Sequence, residues 1–325
     1  MPAVPRITVV TPSFNQSAFV RQTIESVLRQ DYPGLQYIVV DGGSTDGSVE
    51  IIEEYRSEIH KLIIERDQGQ SDAICKGLAL AEGEFFNWIN SDDLLEPGVL
   101  ARVAADFQRD DDLLALQVRV LGDDSESRSL MESRGLSSRR MLRDDDYAFS
   151  QPGLWFRTDV IRNAGGVDPR WHYGMDWDLL VRYLAVAPRV RYLPYVGASF
   201  RLHDASKTQV ELGKLDQSLS RFHMESALIR DELERTLGGD LVRASHLGRR
   251  RLPWNALLTE RLDDRNRSPA GLAWKTALDM ALNPRVKFTQ RAWMTVLRLL
   301  SRYARPRFWK QFYGGEAAGY SNSEP

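Results

Sequence analysis

The feature that most constrains the fold is an alternation of strand and helix patterns over the first hundred residues. Four short apolar runs have the length and composition of buried strands, and apolar residues at helical spacing separate them. Repeats of this kind predict a mostly parallel sheet with helices on both faces. The four runs are RITVVT (6–11), LQYIVVD (35–41), KLIIE (61–65) and EFFNWIN (84–90).

Polar residues follow each of the four predicted strands. Because parallel strands end at the same edge of a sheet, and ligands of such sheets bind beyond that edge, we expect these residues to form one site. They occupy positions 11–15, 41–46, 67–72 and 90–93.

Two adjacent carboxylates, Asp92 and Asp93, come directly after the fourth run and Ser91. Neighbouring carboxylates repel each other unless a cation or hydrogen-bond donors hold them, and their oxygen atoms suit Mg²⁺ or Mn²⁺. Alternatively, Asp93 caps the helix that follows. The residues alone leave both interpretations open.

Two further carboxylates end predicted strands. Asp41 precedes GGSTDGS, where it can accept hydrogen bonds from a base or ribose, or belong to a turn in which Asp46 is the N-cap. The spacing is not GxGxxG and no phosphate-binding lysine follows, which weakens the dinucleotide and P-loop interpretations. Asp67 is the ligand candidate of its segment, where Gln70 is predicted to cap a helix.

Asp176 and Asp178 begin a predicted helix in GMDWDLLVRYL. One carboxylate can cap the helix, and a second beside an open site is a candidate general base. Arg182 is either a surface residue or a brace for Asp178. In FRLHDASKT, His203 together with Arg201 and Lys207 can contact a metal or phosphates, although a single histidine is more often structural.

Together and in this order, four blocks resemble glycosyltransferase family 2 over roughly residues 5–208. The resemblance implies a GT-A fold, which is Rossmann-like, and inverting transfer from a nucleotide-sugar, with a UDP-sugar first among the donors and Mn²⁺ or Mg²⁺ as cofactor. The blocks are VVTPSFNQSAFVRQTIESVLRQDYP, IVVDGGSTDGSVEII, DQGQSDAICKGLALAEGEFFNWINSDDLLEPGVL and GMDWDLLVRYL.

The resemblance also implies residue roles. Asp93 matches the metal ligand, and His203 is a further candidate. Asp176 matches the catalytic base, with Asp178 as the fallback because Met175 replaces the acidic residue that usually precedes the base. Five residues match the nucleotide-sugar pocket: Thr11, Pro12, Asp41, Asp67 and Asp92.

We predict three regions along the 325 residues: a GT-A catalytic domain over 1–210, a connecting helix over 211–239 and a basic, helical C-terminal region over 240–325. Residues 241–325 contain 16 Lys and Arg against 6 Asp and Glu, whereas the first 240 residues contain 27 against 39. This charge difference indicates different partners for the two parts, or contact between them. Residues 122–148 are charged and weakly periodic, which predicts a mobile loop near the site.

The segment 286–305 predicts a basic amphipathic helix, with Trp293 on its apolar side and arginines opposite. Such helices lie on anionic membrane surfaces, although packing on the acidic domain or on another subunit is the alternative.

Cys75 is the only cysteine, so an internal disulfide and a cysteine-based zinc site are excluded. The sequence shows neither a signal-peptide pattern nor an apolar run of membrane-spanning length, so we expect a cytoplasmic protein. If the basic helix binds lipid, the protein is expected to be peripheral on the inner face of the cytoplasmic membrane.

The predicted reaction is a single displacement in which the base deprotonates an acceptor hydroxyl on a saccharide or lipid-linked saccharide, as in bacterial surface-polysaccharide assembly. A sugar-nucleotide nucleotidyltransferase is expected to have a glycine-rich, basic loop after the first strand. The segment at that place here, TPSFNQSAF, contains neither glycine nor a basic residue. A nucleic-acid-binding module is disfavoured because the charge around the site is acidic. An inactive binding relative and a homo-oligomer both stay open.

Overall fold

The computed structural model describes residues 4–122, 126–144, 149–203, 218–249 and 268–282, together with 292, 295–297, 299 and 300. The chain separates into two compact units. One comprises Met1–Met141 with Asp146–Leu241, and the other comprises Leu142–Asp145 with Val242–Pro325. The helix Ser218–Thr236 is grouped with the first unit.

Strands and helices alternate through most of the described residues. The strands are β1 (Ile7–Ser13), β2 (Leu35–Asp41), β3 (Lys61–Ile64), β4 (Phe85–Trp88), β5 (Leu94–Leu95), β6 (Leu113–Leu121), β7 (Ser127–Met131), β8 (Leu154–Arg157) and β9 (Val190–Arg201). The helices are α1 (Val20–Leu28), α2 (Ser48–Glu53), α3 (Gln70–Ala79), α4 (Val99–Asp106), α5 (Ser138–Asp144), α6 (Thr158–Asn163), α7 (Met175–Val186), α8 (Ser218–Thr236), α9 (239–249) and α10 (Pro269–Leu282).

The strands form one sheet in the order β3-β2-β1-β4-β8-β6-β9-β5, with β7 paired to β6. The first four strands of this order are parallel, as the sequence predicts. The rest of the sheet is mixed, because β8 is antiparallel to both of its neighbours while β9 is parallel to β6. Strand patterns in QPGLWFR and VRYLPYVGASFRLH predict β8 and β9, but apolar periodicity does not report strand direction, so the sequence did not reveal that this half is mixed.

The central strand β1 is buried at all seven positions. A strand without alternating exposure is covered on both faces, which is the expected environment of a parallel strand between helix layers. Helix α3 approaches β1 closely, since a Cβ atom added to Gly77 would lie 2.5 Å from Cγ1 of Val10. This contact fixes the helix whose first turn borders the site.

The charged segment predicted as a loop contains β7 and α5. All five residues of β7 are exposed, so the strand is held by its pairing with β6 and has no buried face that would mark it in the sequence. Residues 123–125 and 145–148 lie outside the described residues.

In the second unit, α10 buries one face in a small apolar cluster, which comprises Leu272, Ala273, Met280, Ala292, Val296 and Leu299. On its other side Trp274, Leu278 and Leu282 are 74%, 48% and 73% exposed. Within the described residues, no helix is both long and apolar enough to cross a bilayer.

Candidate active site

A cavity of about 1210 Å³ lies beyond the carboxyl ends of the parallel strands. Its walls combine segments that follow β1, β2, β3 and β4 with the start of α7 and parts of β6, β7 and β9. The predicted site residues that line it are Pro12, Asp67, Asp92 and Asp176. Those that do not are Thr11, Asp41, Asp93, Asp178 and His203.

The end of β1 places its side chains on two sides of the strand. Thr11 is fully buried, and its Oγ1 accepts a hydrogen bond from the Tyr37 hydroxyl (3.0 Å). Pro12 and Ser13 line the cavity. The Ser13 hydroxyl, which sequence reasoning missed, is buried and has no hydrogen-bond partner among the described residues.

Asp41 shapes the backbone beside the cavity. Its buried carboxylate accepts hydrogen bonds from the N–H groups of Gly43 (3.0 Å) and Ser44 (2.7 Å) and from the Ser44 hydroxyl (2.7 Å). Gly43 has a positive φ of 82°, which suits a glycine. Because Gly42 and Gly43 line the cavity, Asp41 presents their backbone rather than its own carboxylate.

Asp46 is not the N-cap of α2. That position is Gly47, with a φ of 95°. The Asp46 carboxylate instead bridges two segments, because it accepts hydrogen bonds from the N–H of Ser17 (2.9 Å) and the N–H of Ser48 (3.0 Å). Partial burial would raise the pKa of Asp46, but hydrogen bonds from Ser48 and Ser17 outweigh it and lower the pKa to about 2.

Asp67 lies against the glycines of the previous loop. A Cβ atom on Gly42 would be 2.8 Å from Oδ2 of Asp67, so only glycine leaves room for this carboxylate. Burial raises the pKa of the Asp67 carboxyl, and the hydrogen bond from the N–H of Gly69 (2.8 Å) opposes part of the rise. Gln70 does not cap α3 as predicted, since its Nε2 donates to Oδ1 of Asn90 (2.6 Å).

Asp92 is the member of the aspartate pair that lines the cavity. Its Oδ2 lies 3.1 Å from Nε2 of His203, whose ring packs on Phe19 with centroids 4.3 Å apart. A carboxylate beside an imidazole is a donor set that suits Mn²⁺ and related divalent ions. Within the described residues, no group of three or more His, Cys, Asp or Glu side chains is arranged to hold a metal ion.

Asp93 lies behind the cavity wall and is fully buried. Its Oδ1 accepts from the N–H of Arg201 (3.1 Å), and its Oδ2 accepts from Nδ2 of Asn90 (3.1 Å). Burial, followed by the neighbouring charge of Asp92, raises the pKa of Asp93 well above its usual range. Both carboxylate oxygens are thus engaged within the protein. An amide at position 90 supplies an N–H donor that a carboxylate there would lack.

The two aspartates at the start of α7, Asp176 and Asp178, lie in different environments. Asp176 lines the cavity, and its Oδ1 accepts from the N–H of Trp177 (2.8 Å). Asp178 is buried and forms a salt bridge with Arg182 (2.5 Å). Arg182 also donates to the carbonyl oxygen of Gly166 (2.8 Å). Arg182 is therefore the brace of Asp178, and Asp178 lies outside the cavity lining.

Several lining residues carried no signal in the sequence. His172 and Tyr173 come from the loop before α7. An apolar wall comes from distant segments that only tertiary structure unites, as the direct register of Val120 with Phe200 between β6 and β9 illustrates. We call this set the apolar wall: Val120, Met131, Phe149, Phe200 and Leu202.

Comparisons with known proteins agree with this architecture. The family model for glycosyl transferase family 2 matches residues 8–162. A PGL/p-HBAD biosynthesis glycosyltransferase of Mycobacterium tuberculosis is 30% identical over 207 residues, which cover 61% of this chain and 77% of that protein. A Bacillus subtilis glycosyltransferase named for teichuronic acid biosynthesis is 36% identical over 92 residues, covering 27% of this chain but only 36% of that relative.

Solved structures resemble the chain over most of its length. Residues 1–349 of Staphylococcus aureus TarS with UDP-GlcNAc superpose with a TM-score of 0.61 at 16% identity, covering 93% of this chain and 92% of TarS 1–349. The mannosyltransferase PcManGT of Pyrobaculum calidifontis, in complex with GDP-Man and Mn²⁺, gives 0.55 at 17% identity, covering 94% and 89%.

The fold is the GT-A fold of glycosyltransferases. The chain belongs to glycosyltransferase family 2.

Proposed function

We propose that the protein transfers a sugar from a nucleoside-diphosphate sugar, with a UDP-sugar as first choice, to a hydroxyl of a saccharide acceptor with inversion at C1. The observation that carries this proposal is that Asp92 and Asp176 line the same cavity. One carboxylate suits the diphosphate and its metal, and the other suits the attacking hydroxyl.

The donor's nucleoside is assigned to the cavity end formed by the segments after β1, β2 and β3. Support comes from the Gly42 and Gly43 backbone and the Asp67 carboxylate, which line the cavity. Together with Pro12, these groups offer a close-packed surface and hydrogen-bond partners to a base and ribose. Asp41 and Thr11 contribute by holding that surface in place.

The proposed metal ligands are Asp92 and His203, with Mn²⁺ or Mg²⁺ as the ion. Asp93 is assigned a supporting role instead of the ligand role that the resemblance implies, because both of its carboxylate oxygens accept hydrogen bonds from Arg201 and Asn90. Two protein ligands leave positions for diphosphate oxygens and water. When bound, the cation would neutralise the diphosphate leaving group.

Asp176 is the proposed general base. Its carboxylate accepts the proton of the acceptor hydroxyl while the hydroxyl oxygen bonds to C1 of the sugar. The bond between C1 and the diphosphate oxygen breaks on the opposite face, so a single displacement gives inversion. Cavity walls that hold both substrates in line supply part of the rate. We do not propose Asp178, the fallback candidate, as the base, because its carboxylate is paired with Arg182.

The acceptor is proposed to be a saccharide or a lipid-linked saccharide of bacterial surface-polysaccharide assembly. The apolar wall supports an acceptor with an apolar portion or sugar faces rich in C–H groups. The name of the Bacillus subtilis relative points towards the same kind of product.

We also propose that the second unit contacts an anionic membrane surface on the cytoplasmic side. The predicted helix 286–305 lies largely outside the described residues. Helix α10 supports the proposal, since Trp274, Leu278 and Leu282 recur at every fourth position and are exposed. Residues 241–325 contain 16 basic and 6 acidic residues, and the resulting positive charge complements anionic headgroups.

Vesicle sedimentation tests the membrane proposal. We expect binding to vesicles that contain anionic lipid, and Trp274→Glu should weaken it by about tenfold or more. Val186→Glu is the matched control, because Val186 is 64% exposed in the first unit. Equal binding by the two variants, or dimerisation that Trp274→Glu abolishes without any vesicle binding, would contradict the proposal.

Calorimetric titration with UDP, GDP and dTDP, first with Mn²⁺ and then with EDTA, tests the transferase proposal. Metal-dependent binding of one nucleotide would support it and select the donor for an acceptor screen. Absence of binding to a folded sample would favour an inactive relative. Release of pyrophosphate from a nucleoside triphosphate and a sugar phosphate would favour a nucleotidyltransferase.

A further inference from the structure

A carboxylate on α8 reaches the loop that leads into α7. Oε1 of Glu225 accepts hydrogen bonds from the N–H groups of Tyr173 (2.7 Å) and Gly174 (2.8 Å). The helix begins at the next residue, Met175, and Asp176 follows it. Glu225 thus contacts the backbone two residues before the proposed base.

The same loop is held from a second side by α3. The Ser71 hydroxyl donates to the carbonyl oxygen of Trp171 and lies 2.8 Å from Sδ of Met175. On the α8 side, a Cβ atom on Gly174 would lie 2.7 Å from Cδ1 of Ile229. A glycine is required for this approach, which brings the loop backbone within reach of the Glu225 carboxylate.

The chemistry of a helix start explains why a carboxylate is found there. N–H groups in and just before the first turn lack partners within the helix, and the helix dipole favours a negative charge at that end. The first turn of α7 contains Asp176 and Asp178, and Glu225 adds a carboxylate from another element to the N–H groups just before it. The position of the loop that carries His172 and Tyr173, and of Asp176 in the helix turn that follows, therefore depends on α8 as well as on the loop's own sequence.

We propose that Glu225 is a positioning residue for Asp176. It holds the backbone at residues 173 and 174 so that the Asp176 carboxylate faces the acceptor hydroxyl in the cavity. The inference rests on the proposed function, in which Asp176 is the base. It extends that function by making α8, which lies beyond the residues matched by the family model, a part of the catalytic apparatus.

Two conservative substitutions separate geometry from charge. Glu225→Gln keeps the side-chain length and the oxygen that accepts both hydrogen bonds, and it removes the charge. Glu225→Asp keeps the charge but shortens the side chain by one methylene. Positioning predicts that the Gln variant keeps kcat within about threefold, whereas the Asp variant loses about tenfold to hundredfold in kcat with KM for the donor nearly unchanged.

Glu232→Gln is the matched control. Glu232 lies on the same helix and pairs with Arg235 (2.7 Å), with Arg170 at 4.0 Å. This variant should behave like the wild type. The rate should be expressed per donor-binding site, counted by calorimetric titration of UDP with Mn²⁺, so that partial unfolding does not imitate a loss of kcat.

Hydrogen–deuterium exchange supplies a readout that does not depend on activity. The amides of Tyr173 and Gly174 should exchange faster in Glu225→Asp than in the wild type, and the Gln variant should keep their protection. Wild-type exchange and kcat in the Asp variant would overturn the inference, as would a Gln variant as impaired as the Asp variant. A wild-type protein without transferase activity would refute the proposed function instead, and exchange alone would then show whether Glu225 holds the loop.

Discussion

Nε2 of His203 lies 3.1 Å from Oδ2 of Asp92, although 111 residues separate them in the chain. The contact follows from strand pairing, because β5 is antiparallel to the end of β9, with Leu94 opposite Ser199. β5 begins directly after Asp93, and His203 follows β9 by two residues. The pairing therefore brings an imidazole to the aspartate that faces the cavity.

The two adjacent aspartates should respond differently to substitution. Asp92→Asn should weaken Mn²⁺-dependent binding of UDP by about tenfold or more with little change in stability. Asp93→Asn should lower the free energy of unfolding by about 1–3 kcal/mol, because its amide N–H₂ would face a buried donor. Calorimetry and urea denaturation measure the two effects. The opposite pattern would restore Asp93 as the metal ligand.

Asp176→Asn should lower kcat by about a hundredfold to ten-thousandfold, since the amide cannot accept the proton, while donor binding stays unchanged. Steady-state kinetics with an authentic acceptor, combined with donor titration, measure both quantities. Full transfer by this variant would refute the assignment of the base.

Asp178→Asn provides the structural comparison for that experiment. It removes the charge partner of Arg182, which is mostly buried. We expect a loss of about 3 kcal/mol in the free energy of unfolding. The folded fraction should retain kcat within about threefold, in contrast to Asp176→Asn. Denaturation and kinetics on the same preparation check this result.

Gly42→Ala should weaken donor binding, because the new Cβ atom would lie 2.8 Å from Oδ2 of Asp67 and displace that carboxylate. We expect a loss of about tenfold in affinity for UDP. Gly238→Ala is the control, since no atom lies within 4 Å of a Cβ atom there. If both variants bind UDP as the wild type does, the contact between Gly42 and Asp67 has no part in donor binding.

The fall in the free energy of unfolding at acidic pH should depend on Asp46. Its pKa is about 2 in the folded protein, below the ordinary value of 3.8. A lowered folded-state pKa means that the ionised carboxylate stabilises the protein above pH 4, and that this contribution is lost as the pH falls towards 2. Asp46→Asn should flatten the profile between these values in chemical denaturation, and an unchanged slope would contradict this expectation.

The parallel half of the sheet was predictable because β1, β2 and β4 are almost fully buried and leave continuous apolar runs, while the edge strand β3 still has the apolar residues Leu62, Ile63 and Ile64 in sequence. β7 was not predictable, since all five of its residues are exposed and leave no apolar face in the sequence, although its backbone pairs with β6. The strands β8 and β9 were predictable as strands, but their directions were not. Side-chain patterns report burial, whereas the direction of β8 depends on which neighbours its backbone groups meet.

The sequence by itself determined the family, the parallel strands and the cluster of carboxylates at their carboxyl ends, because these follow from residue order and local patterns. Only the tertiary structure decided which carboxylate faces the cavity. Asp92 and Asp93 are equivalent as neighbours in the chain, but successive side chains point in different directions, and Arg201 and Asn90 enclose the second. The contacts of His203 with Asp92 and of Glu225 with α7 likewise required the packing of distant elements, which short-range patterns do not encode.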